Sequence, residues 1–357
     1  MSDMTPYRGQ EQASAELTTE LTTELPGDLT ADLTLEPGAE QIILAGLSAN
    51  TRKAYRNAWS AFANWCQERG RTALPATEET LVSYVNHMAR HTDCSPETAR
   101  VAMAAIRRAH RMRRPPLPWP DSQFVTDAMR GLRLIRIEQG YRPRRAVAAR
   151  SDIIRLLVDT CDVSTPTGVR DRALILLGYR FAARRSELGV LRIADLTFTP
   201  DGLEVYLAMS KTDREGHGAT TAIPFGRDPV YCTVRAARVW LDVLASHGIV
   251  QGALFRPVRY GKPQQKGIQP SYRMSGTAVE QIFQRAVAQA KVDGGSLNGK
   301  LVPHSLRRGW ATDARAAGAD VIDIARGGRW SKRSAVVLDY MDDVDRWKSN
   351  PNNRIDL

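Results

Sequence analysis

A histidine, a cluster of arginines, two tryptophans and a tyrosine fall within residues 304–340, HSLRRGWATDARAAGADVIDIARGGRWSKRSAVVLDY. The segment holds neither a carboxylate pair for acid–base work nor a metal-ligand spacing, so its chemistry is that of cationic donors grouped around an anion. His304 and Arg307, three apart, share one face of a helix. The Gly327-Gly328 pair then interrupts the chain before a second helical stretch that leads to Tyr340. Taken alone the segment is ordinary. An H-x-x-R pair arises by chance in a basic chain, and a tyrosine beside Val336, Val337 and Leu338 fits a buried helix face.

The charge balance weighs toward an anionic partner. Residues 1–40 carry nine acids against the single base Arg8, a net −8, which leaves the remaining chain at +19 out of a total of +11. Such an excess predicts association with a polyanion such as DNA or RNA. Of fifty basic residues only eight are lysines, and arginine suits bidentate phosphate recognition, although a GC-rich genome produces the same bias. With no apolar run of membrane length and no signal-peptide order, a cytoplasmic protein is expected, associated with a bacterial nucleoid or encoded by a phage or plasmid. Cys66, Cys94, Cys161 and Cys232 form no C-x-x-C and read as free thiols. His87 and His91 are four apart but lack a third ligand, so no metal and no cofactor are expected.

Stepping along the chain, residues 1–40 (ELTTELTTELPGDLTADLTLE) repeat an acid-Leu pair every four residues, a period that drifts around a helix; a disordered acidic arm is expected. Residues 41–140 carry helical signals. Tyr55, Trp59, Phe62 and Cys66 form one stripe, Thr77 and Ser95 are caps with Pro96 at a first helical position, and the helix after Ser95 closes at Pro115. Arg130, Arg133 and Arg136 recur every three residues on a further helix. Residues 141–150 (YRPRRAVAAR) read as an exposed basic linker. From residue 151 to 345 a second domain is expected, with helices from Ser151 and Val169. Its small sheet has a Pro200-Asp201-Gly202 turn, a strand over Leu203–Met209 and an antiparallel return over Ala219–Phe225. Helices resume near 230, 277, 304, 320 and 334, and residues 346–357 form a C-terminal tail. The fold class is therefore mainly α with a small antiparallel sheet, an α+β catalytic domain behind a helical one.

Two further islands join the opening segment: RFAARRSELGVL, with Arg184 and Glu187 three apart at a helix start, and AMSKTDREGHG, with Lys211 leaving a strand. With HSLRRG, GGRW and LDY, these islands in this order resemble the tyrosine recombinase (phage integrase) family, its Cre-like members in particular, from about residue 45 onward. The resemblance implies a two-domain, C-shaped clamp on DNA and a site made of Arg184, Glu187, Lys211, His304, Arg307, Trp330 and Tyr340. Tyr340 is then the nucleophile that forms a covalent 3′-phosphotyrosine link. Arg184 and Arg307, with His304 and the Trp330 indole N–H, stabilise the phosphorane charge. Lys211 protonates the leaving 5′ oxygen, and Glu187 positions the site. Arg308 also lies on the His304 side of its helix, and either Arg329 or Trp330 can fill the donor position, because Trp330 stands about one residue further from Tyr340 than is usual.

The implied partners are double-stranded DNA bearing inverted-repeat sites and a homotetramer on two duplexes. The first and third helices of the helical domain are expected to face DNA through Arg52, Lys53 and Arg100. Arg107, Arg108, Arg111 and Arg133 supply further basic contacts, and Arg142, Arg144 and Arg145 touch phosphate. A type IB topoisomerase shares the chemistry, but the helical N-terminal domain argues against it; a DNA-binding regulator with a vestigial site is the rival from another class. After the nucleophile, Met341, Val344 and Trp347 make a narrow stripe expected to dock on a neighbouring subunit.

Overall fold

A computed structural model describes residue 42 and residues 46–113, 117–120, 122–143, 146–209, 217–264, 273–292, 300–331, 334–348 and 350–355. The chain divides into two compact units between Pro143 and Arg144. The acidic arm, Lys211, Arg144 and Arg145, and the side chain of Trp347, lie outside the described residues.

Among the described residues the first unit has four long helices, each opened by a hydroxyl side chain that accepts a backbone N–H from the first turn. Ser48 caps α1 (Ala49–Glu68), Thr77 caps α2 (Glu78–His91), Ser95 caps α3 (Pro96–Met112) and Ser122 caps α4 (Gln123–Glu138). Each cap satisfies a donor that has no partner within its helix. The core gathers Phe62, Trp65, Cys66, Leu81, Tyr84, Met88, Ile106 and Leu132, so Trp65 replaces Tyr55 in the expected stripe. Arg136 does not belong to a basic edge. It is 9% exposed and donates to the carbonyls of Met88, Thr92 and Cys94, where its cation meets the negative end of α2.

The second unit is built around α6 (Pro166–Arg180), buried along nearly its whole length from Gly168 to Tyr179. This helix starts three residues before the expected Val169, because Thr165 caps it and Pro166 takes the first helical position. Around it lie α5 (Ser151–Asp159), α7 (Arg185–Val190), α8 (Thr233–Ser246), α9 (Gly276–Gln289) and α10 (His304–Ala316). α11 (Val321–Gly327) and α12 (Ala335–Lys348) close the chain before a short 3-10 turn over Pro351–Arg354. The antiparallel pair β2 (Gly202–Leu207) and β3 (Ala219–Pro224) is extended by β1 (Leu196–Thr199), with β4 (Val258–Arg259) and β5 (Lys262–Pro263) as a separate ribbon.

The end of the expected linker is anchored to the second unit. Ala149 is fully buried and its N–H donates to Ser305 O at 2.9 Å, while Asp313 receives Arg150 Nε, the Ser151 N–H and the Tyr179 hydroxyl. Residues 147–151 thus run along one face of α10, touching it at Ser305, Gly309 and Asp313. A Cβ on Gly309 would stand 1.8 Å from Ala149 O. Gly309→Ala is expected to lower stability by about 1–3 kcal/mol through overpacking, although alanine is the better helix former. Gly131→Ala, in open space on α4, is expected to raise it by about 0.5–1 kcal/mol. Urea unfolding of the two variants reads the opposite signs.

Two helix ends shape the site. After α6, Ala182 adopts φ +46°, with its N–H donating to Tyr179 O and the Ala183 N–H to Gly178 O. After α11, Arg329 adopts φ +58°, with its N–H donating to Arg326 O and the Trp330 N–H to Ala325 O. Both are Schellman ends in which the left-handed position, usually glycine, is taken by another residue. Gly327 and Gly328 serve space instead of backbone freedom: a Cβ on Gly328 would lie 1.7 Å from the Trp330 ring, and one on Gly327 2.8 Å from Trp310.

Candidate active site

Three elements and one corner bring six of the seven expected residues together, and Lys211 lies outside the described residues. Arg184 caps α7, and Glu187 in its first turn accepts both the Arg184 N–H (2.9 Å) and Arg184 Nη1 (2.5 Å). α10 supplies His304 at its first residue and Arg307 and Arg308 one turn later. α12 carries Tyr340 in its middle and continues to Lys348. Trp330 stands between α11 and α12.

His304 Nε2 lies 2.6 Å from the Tyr340 hydroxyl. The Tyr340 ring meets Trp330 edge-on at 5.7 Å, and the Arg308 guanidinium lies 5.6 Å from its centroid. Thr312 Oγ1 donates to Tyr340 O at 3.2 Å, which ties α12 to α10. Tyr340 is 7% exposed. Burial pushes its phenol above the ordinary tyrosine range, and Arg307 and Arg308 oppose that only in part.

Arg307 is completely buried. Its guanidinium stacks 3.9 Å from the Trp330 ring centroid and Nη1 donates to Ala182 O at 2.5 Å. Nε and Nη2 have no hydrogen-bond acceptor among the described residues. Burial, with Arg184 close by, pushes this group down to about 9. A buried cation with two unspent donors needs an anion to complete it. Trp330 also stacks on Trp310 at 6.2 Å, so the contacts that locate it run through its ring.

Arg329 turns away from the phenol. It donates to Glu187 Oε2 at 3.0 Å, to Phe181 O at 2.9 Å and to Thr221 Oγ1 at 3.1 Å, and lies 3.8 Å over the Phe181 ring. Of the two alternatives, Trp330 is the residue beside Tyr340. Burial pushes the Glu187 carboxyl up, but Arg329 and Arg184 outweigh it and hold it below the usual carboxylate range. The engagement of Arg329 had no signal in the sequence, since its partners lie more than a hundred residues away.

Of the expected stripe after Tyr340, the Trp347 side chain lies outside the described residues and Met341 packs within its own unit. Met341 is buried with Ala311, Ile324, Ala325 and Val337, and Asp345 pairs with Arg315 at 2.9 Å. In the first unit Lys53, Arg100, Arg111, Arg133 and Arg142 are exposed, and Arg52, Arg107 and Arg108 are half-buried, with Arg107 5.2 Å from the Trp119 ring centroid. His87 and His91 stack at 5.5 Å, and no group of three or more potential metal ligands occurs among the described residues. No helix among them is long and apolar enough to cross a membrane. The four cysteines are free.

Residues 149–345 match the phage integrase family, and residues 35–108 match the N-terminal SAM-like domain of phage integrases. An integrase/recombinase XerD homolog of Selenomonas ruminantium is 36% identical over 86% of this chain and 85% of its own length. The tyrosine recombinase XerD of Ralstonia nicotianae is 25% identical over 77% and 78%. Among solved structures, the XerH site-specific recombinase bound to palindromic difH substrate superposes with a TM-score of 0.54 at 14% identity, over 82% of this chain and 75% of that one. A lambda integrase tetramer bound to a Holliday junction gives 0.51 at 16%, over 96% and 89%. These two likenesses concern the fold. The match across more than half of the chain, joined to the XerD-type relative that covers most of it, decides the family: the chain belongs to the phage integrase family of tyrosine recombinases, which cleave and rejoin DNA strands.

Proposed function

We propose that this chain is a site-specific recombinase in which Tyr340 attacks a DNA phosphodiester. The Tyr340 oxygen forms a bond to phosphorus as the bond to the 5′ oxygen breaks, leaving a 3′-phosphotyrosine and a 5′ hydroxyl. His304 Nε2 accepts the phenol proton, and Lys211 gives a proton to the departing 5′ oxygen. Arg184 and Arg307 hold the charge that spreads over the non-bridging oxygens, with the Trp330 indole N–H as a further donor. Glu187 orients Arg184. Rejoining reverses these steps with the 5′ hydroxyl of another strand, and because the tyrosyl ester keeps the bond energy, no nucleotide or metal has a step to perform.

The observation that carries this reading is the 2.6 Å approach of His304 to the Tyr340 phenol beside a buried Arg307 with two donors to spare. The basic balance outside residues 1–40 supports duplex DNA as the partner, with Arg52, Lys53, Arg100, Arg107, Arg108, Arg111, Arg133, Arg142, Arg144 and Arg145 as its contacts. The solved relatives, one on a palindromic site and one a tetramer on a junction, support inverted-repeat targets and a homotetramer on two duplexes. A cytoplasmic enzyme follows from that substrate. The finer likeness to Cre-type members rests on the motifs alone, since the relatives compared are XerD-type. The test is to select a duplex site with the purified chain and incubate two site-bearing duplexes in EDTA without nucleotide. Recombinant products are expected; binding with no strand exchange would contradict the reading.

A further inference from the structure

Arg329 stands where glycine is the easier residue, at the left-handed position that ends α11, and it uses that position to send a buried guanidinium across the unit. One nitrogen reaches Phe181 O at 2.9 Å and Thr221 Oγ1 at 3.1 Å; the other reaches Glu187 Oε2 at 3.0 Å and Ala182 O at 3.5 Å. Its plane lies 3.8 Å over the Phe181 ring. These partners belong to three pieces of the site. Phe181 and Ala182 form the strained corner after α6 whose Ala182 carbonyl also receives Arg307. Glu187 is the carboxylate that holds Arg184 by backbone and side chain. Thr221 sits on β3, whose pairing with β2 spans the connection that contains Lys211.

We infer that Arg329 is a positioning residue for strand cleavage, a clasp that fixes the corner holding Arg184 and Arg307 against the β2–β3 hairpin. It acts through Glu187 and the corner carbonyls that it contacts. A planar fork with several fixed donors suits this task where an ammonium does not, and a misplacement of about 1 Å in a donor set costs about 100-fold in rate. The inference rests on the recombinase reading of the site.

The experiment uses the full chain and a nicked duplex that traps the covalent intermediate, with single-turnover cleavage, DNA affinity and urea unfolding measured in parallel. Arg329→Gly suits the left-handed backbone while it removes the clasp. It is expected to unfold at a lower urea midpoint yet remain folded in buffer, to bind DNA within about threefold, and to cleave about 10- to 100-fold more slowly. Arg329→Lys, which restores one donor, is expected to recover part of that loss. Combined with Glu187→Gln, Arg329→Gly is expected to add little to the loss that Glu187→Gln causes alone, because both act on Arg184. If the wild type forms no adduct, the recombinase reading itself fails. If the wild type cleaves and folded Arg329→Gly cleaves within threefold of it, or if the losses of the two variants multiply in full, the clasp is refuted.

Discussion

Tyr340→Phe is expected to bind its DNA site like the wild type and to form no covalent adduct. The substitution removes one oxygen. It keeps the ring against Trp330 and Arg308 and leaves Met341 in its cluster, so the fold loses little beyond the hydrogen bond to His304, about 1 kcal/mol. The reaction loses its nucleophile, and removal of a covalent nucleophile elsewhere costs on the order of 10⁶-fold in rate. That gap between a small structural cost and a very large chemical one is what distinguishes a catalytic tyrosine from a core tyrosine. Equilibrium binding, a urea midpoint and a denaturing gel for the adduct read the three quantities separately; an adduct formed by the variant would remove Tyr340 from its role.

Arg307→Lys is expected to slow cleavage by about 10²–10³-fold, the loss associated with one donor to a developing oxyanion. The charge survives, but the fork that spans Ala182 O on one side and an incoming phosphate on the other does not. Arg308→Lys is expected to lose less than about tenfold, because its guanidinium faces the Tyr340 ring, where a cation–π contact is worth about 1 kcal/mol. Single-turnover cleavage of a trapping duplex compares them. Equal losses would mean that Arg308 shares the phosphate and that the choice between two adjacent arginines was wrong.

What the sequence made legible is what local chemistry encodes. Thr77, Ser95 and Pro96 mark helix starts because a hydroxyl or a proline satisfies a donor problem that exists wherever a helix begins. The β2–β3 pair was legible from its alternating residues, which follow the Pro200-Asp201-Gly202 turn that joins β1 to β2. β1, β4 and β5 were not, since runs of two to four residues carry too little pattern to separate them from loops. Arg136 read as surface charge and Arg329 as an alternative donor to the phosphate, because their acceptors are backbone carbonyls and side-chain oxygens distant in sequence, and nothing local announces them. Met341 read as part of a docking stripe, whereas its partners on α10 and α11 bury it within its own unit. The order Arg184, Glu187, His304, Arg307, Trp330, Tyr340 was legible as a motif, but the different surroundings of Arg308, beside the phenol ring, and Arg329, at the corner after α6, were not.

One phenol, next to His304 and the buried Arg307, is expected to carry the DNA strand. Digesting the trapped protein–DNA adduct with protease and identifying the nucleotide-bearing peptide by mass spectrometry tests this. A single modified peptide from α12 is expected, with the phosphate on the Tyr340 oxygen. A phosphate on any other side chain, such as the fully exposed Tyr260, would contradict it.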